Sequence, residues 1–382
     1  MSERASGANN RTVKISKAQI DFTIFFVVLI LVLFGIIMIF SSSYYYTLTN
    51  SRFDNDMYYF LKRQLIWAAL GITVMVVMMN INYHIFKAIA FFAYIFSNIC
   101  LVLVLFIGQE INGAKRWLGV TDTIGFQPSE VAKISLILFL AFYISSKKDA
   151  LKGFGSFVKC MLIVAVPVVL IAIENLSTAV IVFAIGCFII FIASPKIWYF
   201  IVAAIGAGAA AVAAVSLPQF AYRFERIQVW KDPFLYPLSG GWQTIQSLYA
   251  LASGGLFGLG LGQSRQKTFI PESYNDIIFA IICEELGLFG AIIIILLFAI
   301  LIWRGLKSAM NTIDVFGCLV ATGITGMIAI QVILNIAVVT NTIPNTGVVL
   351  PFVSYGGTSF VLTMASMGIL LNISRFQRSK ER

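Results

Sequence analysis

The chain has 382 residues, 59% of them hydrophobic and 12% charged, with a formal net charge of +10. Soluble domains carry about twice that share of charge, so the composition excludes a water-soluble globular class and indicates a polytopic membrane protein. The positive balance does not mark a nucleic-acid binder, because the Lys and Arg residues sit in short loops between apolar runs.

The first twenty residues form a polar, basic tail, expected to be disordered. The first apolar run is too long for a signal-peptide core and lacks a small-residue cleavage site, so no cleavable leader is expected. A membrane-spanning helix needs about 20 apolar residues. By that measure the chain offers ten spans: 22–41, 64–81, 85–107, 129–145, 158–174, 177–194, 197–217, 277–303, 314–339 and 352–373. The expected fold is therefore an all-α polytopic membrane protein, a single domain over 21–374 with a basic tail at 375–382 and no internal repeat. The five cysteines (Cys100, Cys160, Cys187, Cys283 and Cys318) are scattered and show neither metal spacing nor a disulfide framework. His84 is the single histidine, which disfavours zinc chemistry and Ser-His catalysis.

An even number of spans puts both termini on one side. That side carries sixteen Lys and Arg residues against five in the short loops opposite, so both termini are expected in the cytoplasm. Loops 42–63, 107–128, 218–276 and 340–351 then face outward. The loop 218–276, between spans 7 and 8, is the largest, and loops of that length are usually functional or disordered. Its aromatic content, with Trp230, Phe234, Tyr236 and Trp242, argues for order, and 242–252 is expected to form a short amphipathic helix at the interface.

Three motifs lie where the chain re-enters the membrane from outside. Gln127-Pro128-Ser129-Glu130 opens span 4 and is followed by Lys133, three residues on and on the same helix face. That pair reads either as an ion pair pinning a helix contact or as part of an anion site at an outward helix N-terminus. The run Lys267–Gly287 places Asp276 at the mouth of span 8, with Glu284 and Glu285 about 12 and about 13.5 Å deeper along a straight helix. Ser273-x-x-Asp276 also fits a helix-capping pattern, so Asp276 reads as a cap or as a catalytic carboxylate. The two glutamates, at their depth, are expected to hold helices together. Pro351-Phe352-Val353-Ser354-Tyr355-Gly356-Gly357 opens span 10, where paired glycines permit close approach of a ligand or another helix. The outer loops gather Lys115, Arg116, Arg223, Arg226, Lys231, Arg265 and Lys267 on the side where cations are normally avoided, which suits an anionic substrate such as a lipid-linked diphosphate.

Together these motifs resemble the SEDS proteins, the group containing FtsW, RodA and SpoVE. The carriers are Asn112–Leu118, Gln127–Lys133, Arg223-x-x-Arg226 with Asp232-Pro233, Gly241-Trp242-Gln243, Pro271-Glu272 through Asp276 to Gly287, and Pro351–Ser359. The resemblance covers nearly the whole chain and leans toward the FtsW/SpoVE branch. Where the family has a Gln-Pro-Asp-Leu-Gly-Thr run after span 5, this chain reads Glu174-Asn175-Leu176-Ser177-Thr178. The resemblance implies a peptidoglycan glycosyltransferase of the bacterial cytoplasmic membrane, polymerising lipid II at the outer face for division, shape or sporulation. It implies that Asp276 matches the family's essential aspartate, and Glu130 and Lys133 its sensitive span-4 pair. It also implies a class B penicillin-binding protein as partner, other divisome or elongasome membrane proteins alongside, support by a divalent cation (Mg or Mn) and no organic cofactor. Asp276 reads as general base, with cation binding as the other role open to it. Lys115, Arg116, Glu130, Lys133, Arg223, Arg226, Gln243, Lys267, Glu272, Ser354, Gly356 and Gly357 are the candidate substrate contacts. A lipid II flippase and a non-catalytic scaffold are the competing readings.

Overall fold

A computed structural model describes residues 20–376, apart from 112–113, 122–123, 148–150, 152, 195, 203–205, 207, 209–220 and 239. The chain order is α1 (Phe22–Thr49), α2 (Tyr59–Asn80), α3 (His84–Ile107), strands β1 (Gln109–Ile111), β2 (Ala114–Thr121) and β3 (Ile124–Phe126), α4 (Pro128–Ser146), α5 (Phe154–Glu174), α6 (Leu176–Ala193), α7 (Ala221–Lys231), α8 (Trp242–Gly254), α9 (Ile278–Asn311), α10 (Val315–Val339) and α11 (Gly357–Ser374). Nine of these helices, α1 to α6 and α9 to α11, are long and apolar enough to cross a membrane. They coincide with nine of the ten expected spans. Of the seventh, residues 198–202 are helical, and most of 203–217 lies outside the described residues.

The bundle differs from the sequence expectation in its outer elements. The loop 107–128 folds into a small antiparallel sheet in the order β1-β2-β3, with Gln109 opposite Trp117 and Leu118 opposite Phe126. Helix α1 continues to Thr49 because its polar end finds partners: Thr47 Oγ1 bonds back to Ser43 O (3.3 Å), and Ser41 reaches a carboxylate on α9. Helix α11 begins only at Gly357. Ahead of it the backbone turns, with Leu350 N donating to Ser354 Oγ (2.9 Å) and Tyr355 N to Tyr274 O (3.0 Å), so 352–356 serve as a tie to the start of α9.

Close approach holds the centre together. A Cβ on Gly71 of α2 would lie 2.7 Å from the Phe360 ring, and one on Gly368 of α11 would lie 2.5 Å from Met75 O, so these two helices meet backbone to backbone as small-residue interfaces in membranes do. The end away from the site is clasped by polar groups. Asp21 caps α1 through Thr23 N (3.0 Å), pairs with Arg304 of α9 (2.6 Å) and donates its own N–H to Ser374 Oγ of α11 (3.1 Å).

Helix α9 is broken at Gly287, whose φ of +66° and ψ of −166° lie outside the helical region. The carbonyls of Glu284 and Glu285 turn out of the helix and accept from Leu259 N (2.9 Å) and Gly260 N (3.0 Å). In return Leu288 N and Phe289 N donate to Gly255 O (3.0 Å) and Leu256 O (3.2 Å). The segment after α8 thus supplies the backbone partners that the break removes, as non-helical backbone at membrane depth requires.

Candidate active site at the mouth of α9

Asp276 lies half-buried two residues ahead of α9. The helix takes Ile277 as its N-cap residue without a side-chain cap bond, so the capping role is not what the carboxylate performs. Its placement comes from the backbone. Asn335 Nδ2 of α10 donates to both Asp276 O (2.6 Å) and Val348 O (2.7 Å), drawing the 341–350 turn against the mouth of α9. A Cβ on Gly347 would lie 3.8 Å from Asp276 Oδ2. Glu272 stands close by, its backbone left-handed at φ +51° and its carboxylate accepting from Asn275 Nδ2 (2.7 Å). Burial first, and then the charge of Glu272, push the Asp276 carboxyl up to about 6 against the opposing pull of backbone hydrogen bonds. Such an acid is ionised near neutrality and still basic enough to take a proton.

Gln243, at the start of α8, joins this group: Asn345 Nδ2 donates to its Oε1 (2.9 Å). Trp230 of α7 donates its indole N–H to Asn341 O (3.0 Å), so α7 and α8 both close on the same turn.

The span-4 pair meets α11. Lys133 Nζ meets Glu130 Oε1 at 2.8 Å, with both side chains nearly enclosed, and Ser359 Oγ of α11 donates to Glu130 Oε2 (2.9 Å). Ser354 and Gly356 line a small cavity together with Ser359. Gly357 packs on the Trp67 ring.

Lys115 and Arg116, on β2, border a second, open cleft with Gln127, Ser129, Glu174 and Asn175, its remaining wall apolar. Glu174 organises them: its Oε2 accepts from Lys115 N (3.0 Å), and its main-chain oxygen accepts from Arg116 Nε (3.2 Å) and Nη2 (3.1 Å). The residue standing where the family has a different motif therefore positions the cationic strand. Ser129 Oγ, buried in the first turn of α4, meets no partner.

One of the cations separates from the site. Lys267 is buried, and its ammonium donates to Glu285 Oε1 (3.2 Å) and Gly262 O (2.6 Å) over the Tyr44 ring, so it is an internal counter-ion and is withdrawn from the substrate contacts. The expectation failed because the sequence shows Lys267 in a polar loop, whereas the fold turns that loop onto two enclosed carboxylates. Arg226 is exposed on α7; Arg223 is in the same helix, its side chain outside the described residues.

Glu284 and Glu285 are fully enclosed. Glu284 accepts from the Ser264 hydroxyl, Ser253 Oγ (3.2 Å) and Arg265 N (3.1 Å); Glu285 accepts from Ser41 Oγ (2.5 Å) as well as Lys267. Sequence reading passed over Gln331 and Asn335. Two amides four residues apart in an apolar span share one helix face, and that spacing was the available signal.

The fold and site define a polytopic α-helical membrane protein with a half-buried carboxylate at the mouth of one span. The chain belongs to the FtsW/RodA/SpoVE family of cell cycle proteins, whose model matches residues 21–379. It is 40% identical over 368 residues to the stage V sporulation protein E of Bacillus subtilis, covering 95% of this chain and 99% of that protein. It is 36% identical over 365 residues to a probable peptidoglycan glycosyltransferase FtsW of a Geobacter species, covering 94% and 97%. Among solved structures it resembles a chain of a peptidoglycan synthase complex that coordinates polymerization and crosslinking (TM-score 0.78, 25% identity, 93% and 98% covered). The rod shape determining protein RodA of Thermus thermophilus shares the fold (TM-score 0.69, 24% identity, 94% and 98% covered).

Proposed function

We propose that the chain is a peptidoglycan glycosyltransferase that joins lipid II units into glycan strands, in cell division or sporulation. The observation that carries the reading is Asp276: one half-buried carboxylate, held up to about 6, fastened by Asn335 beside the 341–350 turn. Relatives named as glycosyltransferases along nearly their full length support it.

The acceptor's 4-hydroxyl oxygen attacks the anomeric carbon of the donor sugar. The bond from that carbon to the diphosphate oxygen breaks with inversion, and the diphosphate leaves with the electron pair. Asp276 receives the hydroxyl proton as general base. Lys115 and Arg116, held by Glu174, border the cleft that receives the lipid diphosphate, with the apolar wall toward its chain. Among the described residues no three His, Cys, Asp or Glu side chains gather into a metal site. Asp276 suits the mode in which Mg²⁺ or Mn²⁺ rests on one or two carboxylates and substrate phosphates, and such an ion would supply charge neutralisation of the diphosphate.

The protein lies in the bacterial cytoplasmic membrane with the site outward and both termini inside, a reading that the distribution of Lys and Arg supports. A class B penicillin-binding protein is its partner, in keeping with the likeness to a chain of a peptidoglycan synthase complex. The test is polymerisation of purified lipid II with moenomycin present to silence other glycosyltransferases. Polymer formed by the parent and lost in Asp276→Asn supports the assignment; normal polymer from Asp276→Asn overturns it.

A further inference from the structure

Helix α5 carries Pro167, buried, in its interior, with two turns of helix beyond it. A proline has no N–H, so the carbonyl four residues earlier, that of Ile163, loses its donor within the helix. A neighbouring helix supplies one instead: Tyr94 of α3 donates its hydroxyl to Ile163 O (2.8 Å). Proline inside a membrane span is tolerated where such a group satisfies the freed backbone. The Tyr94 ring is itself held, stacked on Phe139 of α4 with centroids 4.5 Å apart. Beside Ile163, Val164 packs on α6 so closely that a Cβ on Gly186 would lie 2.6 Å from its methyls. The part of α5 that precedes Pro167 is thus fixed to α3 and α6.

The part beyond Pro167 has a different setting. Leu170, Ile171 and Glu174 line the Lys115–Arg116 cleft, to which α3 contributes only the apolar Leu101, Val104 and Leu105. Apolar contact is non-directional, so it tolerates sliding that a hydrogen bond does not. Another flank of the same turns, with Val169 and Ile173, is 61% and 58% exposed and faces the surrounding lipid. At its end Glu174 grips β2, through Lys115 N (3.0 Å) and the Arg116 guanidinium (3.1 Å). Bending at Pro167 breaks no backbone bond from residue 167 to 163, because the proline has none to break. A bend of roughly 20° displaces Glu174, about 10 Å further along the helix, by about 4 Å, and the cationic strand moves with it.

We propose that Pro167 is a hinge and that the two turns beyond it, 168–174, are a side gate through which a lipid-linked diphosphate passes from the bilayer into the Lys115–Arg116 cleft, while Tyr94 holds the rest of α5 in place. The assignment rests on the reading of that cleft as the diphosphate site. An apolar flank toward the acyl chains and a cationic end match the two parts of such a lipid.

The test uses the full chain in nanodiscs, carrying Asp276→Asn to prevent turnover, and a fluorescent polyprenyl diphosphate followed by stopped flow. Pro167→Ala restores an N–H for Ile163 O, so opening then has a backbone bond to break. Association and dissociation rates are expected to fall together by about three- to tenfold, the scale of one hydrogen bond, with Kd kept within about twofold. Pro167→Leu, which restores the same N–H with a larger side chain, is expected to behave alike. Any pattern in which the two rates do not fall together overturns the gate. Melting temperature reads the latch: Tyr94→Phe is expected to lower it in the parent and to leave it unchanged beside Pro167→Ala, where the backbone supplies the donor. An equal loss in both backgrounds overturns the role given to Tyr94. A parent that does not bind the probe overturns the gate and the diphosphate cleft together. Gated binding in a chain that, with Asp276 intact, forms no polymer from lipid II removes the glycosyltransferase reading and leaves the gate standing.

Discussion

Asp276 concentrates the consequences that belong to single residues. As a base it must be ionised, so kcat/KM for lipid II is expected to rise with pH through about 6 and level off above it. Asp276→Asn is expected to lower the rate by about 10²–10⁴-fold, measured as polymer formed per enzyme. Stability moves the other way. The folded carboxyl binds its proton more tightly than the ordinary value of 3.8 allows, so the ionised form costs stability progressively as pH rises through about 6. Above pH 6, Asp276→Asn is therefore expected to melt no lower than the parent, and the difference should vanish in acid. A lower melting temperature at pH 7 would show that the carboxylate serves the fold. The position of Asp276 at a span mouth was legible in the sequence, because an acidic residue at the edge of an apolar run stands out. Its anchor was not: the bond to Asn335 joins residues 59 apart, and no local pattern encodes that distance.

Among the elements, the break in α9 and the buried pair beneath it carry the most strain and the most compensation. A side chain at Gly287 meets the wrong φ and also runs into Gly258 N and Leu256 O. Gly287→Ala is expected to lose more than the ~1–3 kcal/mol of a forced left-handed residue, read as a lower melting temperature in detergent. Lys267 and Glu285 behave as a unit with 2% and 0% of their side chains exposed. Lys267→Met alone leaves an enclosed carboxylate unpaired and is expected to cost about 3–5 kcal/mol. The double variant with Glu285→Gln should recover most of it, and a thermodynamic cycle measures the coupling. Additive losses would show that the two residues are independent. The sequence placed Glu284 and Glu285 at the right depth for internal staples, yet it offered Lys267 as a surface cation. Loop residues show their charge in sequence and hide which way the loop folds.

Taken whole, the molecule is a bundle with a polar clasp at one end and the site at the other. The proposed orientation makes a direct prediction. Leu238, 95% exposed in the outer loop, changed to cysteine should react with a membrane-impermeant maleimide in intact cells, whereas a cysteine added at the C-terminus should react only after lysis. Labelling of the C-terminal cysteine in intact cells would invert the topology. The clasp of Asp21, Arg304 and Ser374 joins α1, α9 and α11, so it closes only when the chain from its first to its last described helix is in place.

The sequence by itself determined that this chain lives in a membrane, where nine of its spans run and which family its motifs resemble. Those properties follow from hydropathy and charge, which act residue by residue along the chain. Only the tertiary structure decided that Glu174 orders the Lys115–Arg116 strand, that Lys267 turns inward and that Tyr94 reaches the carbonyl freed by Pro167. Each depends on which segments meet in space, and in a bundle of apolar helices that choice is made by side-chain packing and by the few polar groups that must find a partner away from water.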